Sequence, residues 1–221
     1  MARMLKALVI FGAALFFSWL LLPKPSLYGD TTFSSAVWSR NGDLLRLTLA
    51  EDERYRLFTP LFGLPAEAMQ ATLLYEDRAF FYHPGINPWS VLRALWSTAT
   101  GQRTVGASTL SMQLARLRFA LDSSTVAGKL EQMLRAVQLE RHYSKHELLE
   151  AYLNLAPYGG NIEGLGAASL IYFGKPAHRL TLPEILTLVV VPQNPRQRNP
   201  NRENSAALVQ ARERLLQLWV D

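Results

Sequence analysis

From Ala7 to Leu22 the chain runs sixteen residues without a charge, with Arg3 and Lys6 ahead of the run and Pro23-Lys24-Pro25 closing it. With Met4 and Leu5 added and Lys6 reaching toward the interface, a helix here spans roughly 28 Å, close to the hydrocarbon thickness of a bilayer. A cleaved export signal or a buried core helix would use a similar run. The residues that follow, Leu22-Pro23-Lys24-Pro25, do not offer the small-x-small pattern of a cleavage site, so residues 1–24 read as a cytoplasmic tip and an uncleaved signal anchor. Positive charge at the extreme N-terminus places that end in the cytoplasm and everything after Lys24 outside.

The rest of the chain is enough for one domain and a small appendage. Of 221 residues, 49% are hydrophobic and 19% charged, which allows a sizeable packed core and excludes wholesale disorder. The net charge of +5 suits an anionic partner without choosing among nucleic acid, lipid head group and pyrophosphate. Cysteine is absent, so neither a disulfide framework nor a thiolate metal site is available.

Residues 25–60 read as an extended linker and a small β segment. Ala36–Arg40 and Asp43–Leu49 flank Asn41-Gly42, whose tolerance of positive φ suits a tight hairpin turn. Residues 61–221 read as helical. Pro65 opens a helix to about Glu76, and Asn87-Pro88 opens the next. Ser108 starts a third, a fourth runs from about Gly128 to Tyr143, and Ser144 with Glu147 forms a capping box for a fifth. Gly159-Gly160 ends the fifth, and a Gly/Ala-rich helix follows from Ile162 to Phe173. Thr181 with Glu184 caps an apolar helix to Val191; a basic Pro/Asn loop, Pro192 to Arg202, precedes a terminal helix at 204–219.

Two segments carry chemistry. Glu76-Asp77-Arg78-Ala79-Phe80-Phe81-Tyr82-His83-Pro84-Gly85 follows a helix with a buried face. A carboxylate at such a junction suits general base work when it is partly desolvated, while Arg78 and His83 can hold Asp77 or Glu76 in place. A charged helix end with a surface salt bridge fits the same spacing. In Gly106-Ala107-Ser108-Thr109-x-x-x-Gln113, free N–H groups at a helix start fit a phosphate or sugar hydroxyl, and equally an ordinary N-cap.

These two, with Tyr143–Asn154 and Gly164–Lys175, resemble the ordered motifs of the peptidoglycan glycosyltransferase domain of class A penicillin-binding proteins and monofunctional transglycosylases. The resemblance covers roughly residues 65–195. It implies a mostly α, lysozyme-like fold with a small membrane-embedded subdomain, a small β element and one N-terminal transmembrane helix. The implied substrate is lipid II, polymerised into β-1,4-linked glycan strands with inversion and release of undecaprenyl pyrophosphate. Glu76 then falls on the catalytic base. Asp77, Phe80, His83, Ser108, Thr109 and Gln113 fall on substrate-binding positions. Arg116 stands where the family usually has Lys, keeping a cation for the pyrophosphate, and Lys129 matches a motif Lys.

The implied partners are lipid II, the growing strand, the membrane and other wall-building proteins, with no nucleic acid. The implied location is the bacterial inner membrane, single-pass, with the domain on the outer side. A divalent cation, Mg or Mn, accompanying the pyrophosphate is the one implied cofactor, and no protein metal ligands are assigned.

The third motif departs from the family pattern Arg-Lys-x-x-Glu, which lies over Gly128-Lys129-Leu130-Glu131-Gln132. Gln132 occupies the second catalytic position, where the family places a carboxylate thought to assist the leaving group or hold a metal. Glu131 lies about 100° around the helix and needs local rewinding to substitute. Tyr152 to Asn154 and the small residues Gly164 to Ala168 are expected to be structural, with Asn154 bonding carbonyls at a helix end. No Ser-x-x-Lys is present, so no covalent reaction with a β-lactam is expected of this chain.

Overall fold

The computed structural model describes residues 6, 18–19, 21–100, 108–202 and 205–221. Most of the expected membrane helix, and Gly106 and Ala107 of the second motif, lie outside the described residues. Among the described residues no helix is long and apolar enough to cross a membrane.

Eight α-helices and two small antiparallel sheets are described. Strands β1 (Ala36–Trp38) and β2 (Leu44–Leu47) pair as expected but are shorter, with a register shift between Val37 and Trp38. The turn also differs. Gly42 takes φ 84° while Asn41 stays at negative φ, and the Ser39 hydroxyl accepts from the Asn41 and Asp43 N–H groups at 3.2 and 3.0 Å. A side-chain-held loop of this kind replaces the two-residue turn. Because a lone hairpin is marginal in water, this segment is tied to the body. Arg56, 4% exposed, donates to Glu163 and Asp52 side chains and to the Thr32 carbonyl.

The helical body follows the sequence closely. Helix α1 (Ala66–Glu76) is preceded by Pro65 as its N-cap, one position earlier than expected. Asn87 caps α2 (Pro88–Ala99) by accepting from the Trp89 and Ser90 N–H groups. Helix α3 (Leu110–Arg118) is capped by Thr109, which accepts from Met112 N–H at 3.1 Å. Ser108 is therefore outside the helix, and its hydroxyl is available elsewhere. Thr125 caps α4 (Val126–His142), and the expected Ser144–Glu147 capping box opens α5 (Lys145–Leu155).

After α5 the structure adds an unexpected element. Strands β3 (Pro157–Gly159) and β4 (Ile162–Glu163) form a hairpin around Gly160-Asn161, so α6 spans only Leu165–Phe173. Gly159 and Gly160 both have positive φ, which an L side chain adopts poorly. Helix α7 (Leu182–Val189) opens on the Thr181–Glu184 box, and α8 (Ala206–Val220) ends the chain.

Helix α3 packs against α4 and α5, and α1 packs against α7 and α8. Leu110, Met112, Leu114 and Ala115 of α3 and Leu148, Leu149, Ala151, Tyr152 and Leu153 of α5 are buried in one core. Asn154 bridges this core to the incoming segment. It donates to the carbonyls of Thr59 and Glu150 at 2.9 Å and accepts from Thr59 N–H at 2.8 Å. Gly166 is required at this crossing, because a Cβ there would stand 2.0 Å from Thr59 Oγ1. The C-terminal end of α1 thus arrives beside the N-terminal end of α3, with both helices held by the core behind them.

Candidate active site

Glu76 is the last residue of α1. Its Oε2 accepts from Gln113 Nε2 at 2.7 Å, and its Oε1 is buried with no hydrogen-bond partner among the described residues. Burial raises the carboxyl pKa and nearby Asp77 adds to the rise; the Gln113 bond, Arg198 and Arg116 pull it back. The net shift is upward, as desolvation of a charged form requires. The surface-salt-bridge reading of this residue does not hold.

Two cavities meet at Glu76. One, of about 430 Å³, is lined by Ser108, Gln113, Arg116, Lys129 and Gln132 as well as Tyr75 and Glu76. The other, of about 470 Å³, is lined by Glu76, Asp77, Arg78, Asn87, Arg93 and Leu218 among others. Tyr75, Glu76 and Ser108 border both. The first cavity is cationic. Arg116 has neither an ion pair nor a side-chain hydrogen bond among the described residues. Lys129 Nζ donates to Ser108 Oγ at 2.9 Å and to Gln132 Oε1 at 2.8 Å. Burial, and then Arg116, lower the Lys129 pKa.

Several residues expected to bind substrate stand behind this surface. Phe80 has no exposed area and lies under the Lys145 ammonium, 4.4 Å from its ring centre. Asp77 Oδ2 accepts from Leu110 N–H at 2.9 Å and lies 2.9 Å from His83 Nε2. His83 Nδ1 accepts from Gly85 N–H at 3.1 Å, so the ring proton sits on Nε2 and is donated to Asp77. Thr109 Oγ1 then donates to the Gly85 carbonyl at 2.6 Å. This chain of bonds locks the first motif onto the start of α3. Phe80 and His83 are 0% and 6% exposed, while Asp77 and Thr109 border the second cavity, with Asp77 Oδ2 and Thr109 Oγ1 engaged in these bonds.

Gln132 lines the first cavity. It is 2% exposed, its Nε2 donates to the Met112 carbonyl at 2.7 Å, and its Oε1 receives Lys129. Both amide ends are bonded to protein, and the carbonyl end holds the Lys129 ammonium. Glu131 does not replace the family carboxylate: it is half-exposed and lies 3.6 Å from Arg135. The Gly at 128 has a local cause, because a Cβ there would stand 1.9 Å from the Asp122 carbonyl. Divalent-cation ligands do not converge here. Among the described residues Glu76 is the one carboxylate on the first cavity, and the Gln132 carbonyl oxygen already faces an ammonium, so this donor set does not fit a resident metal.

Sequence reasoning missed the loop after α7. Arg198 Nη1 donates to Tyr75 Oη and the Val190 carbonyl at 2.8 Å and to Gln193 Oε1 at 2.9 Å. Pro192 and Gln193 close the first cavity. The basic character of residues 192–202 was the available signal, but nothing local showed that the loop folds back across more than a hundred residues.

The helical domain thus holds the Glu76 carboxylate between two cavities, the first of which carries Arg116 and Lys129. The transglycosylase family profile matches residues 41–219, and the chain belongs to that family. Penicillin-binding protein 1C of Escherichia coli (strain K12) is 49% identical over 137 residues, 61% of this chain and 17% of that protein. Penicillin-binding protein 4 of Bacillus subtilis (strain 168) is 33% identical over 73% of this chain and 26% of its own length. Among solved structures, penicillin-binding protein 1A from Haemophilus influenzae covers 86% of this chain and 18% of its own, at 19% identity and a TM-score of 0.44. The chain thus spans about a fifth of the length of these relatives.

Proposed function

We propose that this chain is a peptidoglycan glycosyltransferase that polymerises lipid II, with Glu76 as general base. The observation that carries the reading is the Glu76 carboxylate. One oxygen is oriented by Gln113, the other is unpartnered, and its pKa is raised toward the working range of a base.

The Glu76 carboxylate takes the proton of an acceptor sugar's 4-hydroxyl. The oxygen attacks C1 of the donor as the C1–O bond to pyrophosphate breaks, inverting C1 and forming a β-1,4 link. Negative charge grows on the departing pyrophosphate, and Arg116 and Lys129 face that charge from the first cavity. Lys129 and Ser108, already in contact, offer donors to its oxygens.

The apolar run at residues 7–22 supports an anchor that keeps the domain at the membrane outer face, where a lipid-linked donor resides. Glycan strands and other wall-building proteins are the partners on that face.

Incubation with lipid II tests the reading. Wild-type protein is expected to form glycan polymer, and Glu76→Gln to lose about 100-fold or more of that rate, the usual worth of a general base. Release of fragments from finished strands without chain growth would instead indicate a lytic hydrolase. Lipid II binding without product would indicate a scaffold.

A further inference from the structure

We propose that Gln132 makes the Ser108–Arg116–Lys129 wall a seat for a diphosphate group that works without a divalent cation. The proposal rests on reading this cavity as the seat of the leaving diphosphate.

The first ground is the bonding of Gln132. Its amide must donate at one end, to Met112 O at 2.7 Å, and accept at the other, from Lys129 at 2.8 Å. A carboxylate in the same pose would oppose an oxygen to the Met112 carbonyl and leave a charge 2% exposed, which is costly without a second donor. The local structure is therefore built for the amide, and Gln132 is a positioning residue that aims the Lys129 ammonium.

The second ground is charge. Arg116 on α3 and Lys129 on α4 both line the cavity, and neither is in a direct ion pair among the described residues. The nearby acids are engaged elsewhere. Glu131 faces Arg135, Glu140 is held by Lys145 and Ser111, and Asp122 accepts from Ser124. Among the described residues Glu76 on α1 is the one acid on the cavity, bonded to Gln113 and within the influence of Arg116. A Glu at 132 would neutralise Lys129 from within the wall and leave Arg116 to meet a doubly charged group alone. A divalent ion would then be needed to bridge the acids. With Gln132, two protein cations balance two phosphate charges directly. The Ser108 hydroxyl accepts from Lys129 and so keeps its own proton for a phosphate oxygen.

The test is calorimetric titration of the intact chain in detergent with inorganic pyrophosphate and, separately, farnesyl diphosphate, each in excess EDTA and in Mg²⁺. The two ligands separate the diphosphate contribution from that of the lipid. Wild type is expected to bind with Kd values within about threefold of each other in the two conditions, and Gln132→Glu to bind at least about tenfold more weakly in EDTA with recovery in Mg²⁺. Lys129→Met is expected to weaken binding in both conditions, which covers the case in which Gln132→Glu does not fold.

A wild-type protein that loses tenfold or more in EDTA, or shows no saturable binding to either ligand, overturns the proposal. So does Gln132→Glu binding like wild type in EDTA. Failure of lipid II polymerisation alongside cation-independent binding would sink the proposed function and leave this inference standing. Polymerisation that requires Mg²⁺ would do the reverse.

Discussion

Gln113 Nε2 donates to Glu76 Oε2 at 2.7 Å, while Oε1 of the same buried carboxylate meets no partner among the described residues. The carboxylate is held by one oxygen, and the other is buried without a bond. Replacing Gln113 by Leu removes the one hydrogen bond among the described residues that favours the ionised form, so the Glu76 pKa should rise further. The acidic limb of the pH–rate profile should then move to higher pH, with activity at neutral pH falling about tenfold and recovering at alkaline pH. An unchanged limb would mean that Gln113 does not tune this carboxyl.

The same burial has a stability consequence. The folded pKa of Glu76 lies above its ordinary value of 4.5, so between the two the native state binds more protons than the unfolded chain. Stability is then lost as pH rises through that window. Glu76→Gln should therefore melt higher than wild type at neutral pH and nearly equal to it below pH 4.5, with about 2–4 °C gained per kcal/mol relieved. Calorimetric scans across pH would check it; a variant that melts lower at pH 7 would contradict it.

Arg198 supplies a long-range version of this effect. Its charge favours ionised Glu76, as does that of Arg116, whereas Asp77 opposes it; Tyr75, Tyr152 and Tyr158 are the other titratable neighbours. Arg198→Met should raise the kinetic pKa, and Arg198→Lys should restore much of it while losing the bonds to Tyr75 and Gln193. Kinetic profiles of the two variants would separate charge from scaffolding.

The Asp77–His83 pair predicts a folding phenotype. Both side chains are buried, and Asp77 also accepts from Leu110 N–H. His83→Ala should cost about 3–5 kcal/mol in denaturant unfolding, since it leaves a buried charge short of a partner. A loss of activity without a comparable loss of stability would point instead to direct substrate contact.

Gly128→Arg would restore the family residue and should fail to restore the family structure. A Cβ at 128 meets the Asp122 carbonyl at 1.9 Å, so the loop that carries Ser123 into the first cavity must move. A stability loss of about 1–3 kcal/mol and new proteolytic nicking near residues 120–125 are expected.

Helix starts were the most legible part of the fold. Ser144–Glu147 and Thr181–Glu184 satisfy orphan N–H groups with residues three apart, so the signal is complete within one turn. Ser108 against Thr109 shows the limit of such reading. Either hydroxyl can cap α3; the Gly85 carbonyl, from another motif, gives Thr109 its second bond and leaves Ser108 for Lys129. The β3–β4 hairpin was illegible for a similar reason, since β4 continues from Glu163 into contacts with Tyr55 and Arg56 that no local pattern contains.

By itself the sequence determined the helical body and most of its caps, because caps and apolar periodicity act over one or two turns. It also placed Glu76 at a helix end without deciding whether water or protein would surround it. Tertiary structure alone decided that. Packing of α1 on α7 and α8, with Gln113 arriving from α3, strips water from one carboxylate, and the Met112 carbonyl converts Gln132 from a missing acid into the residue that aims Lys129. Desolvation and hydrogen-bond polarity depend on groups far apart in the chain, and only the assembled core brings them within reach.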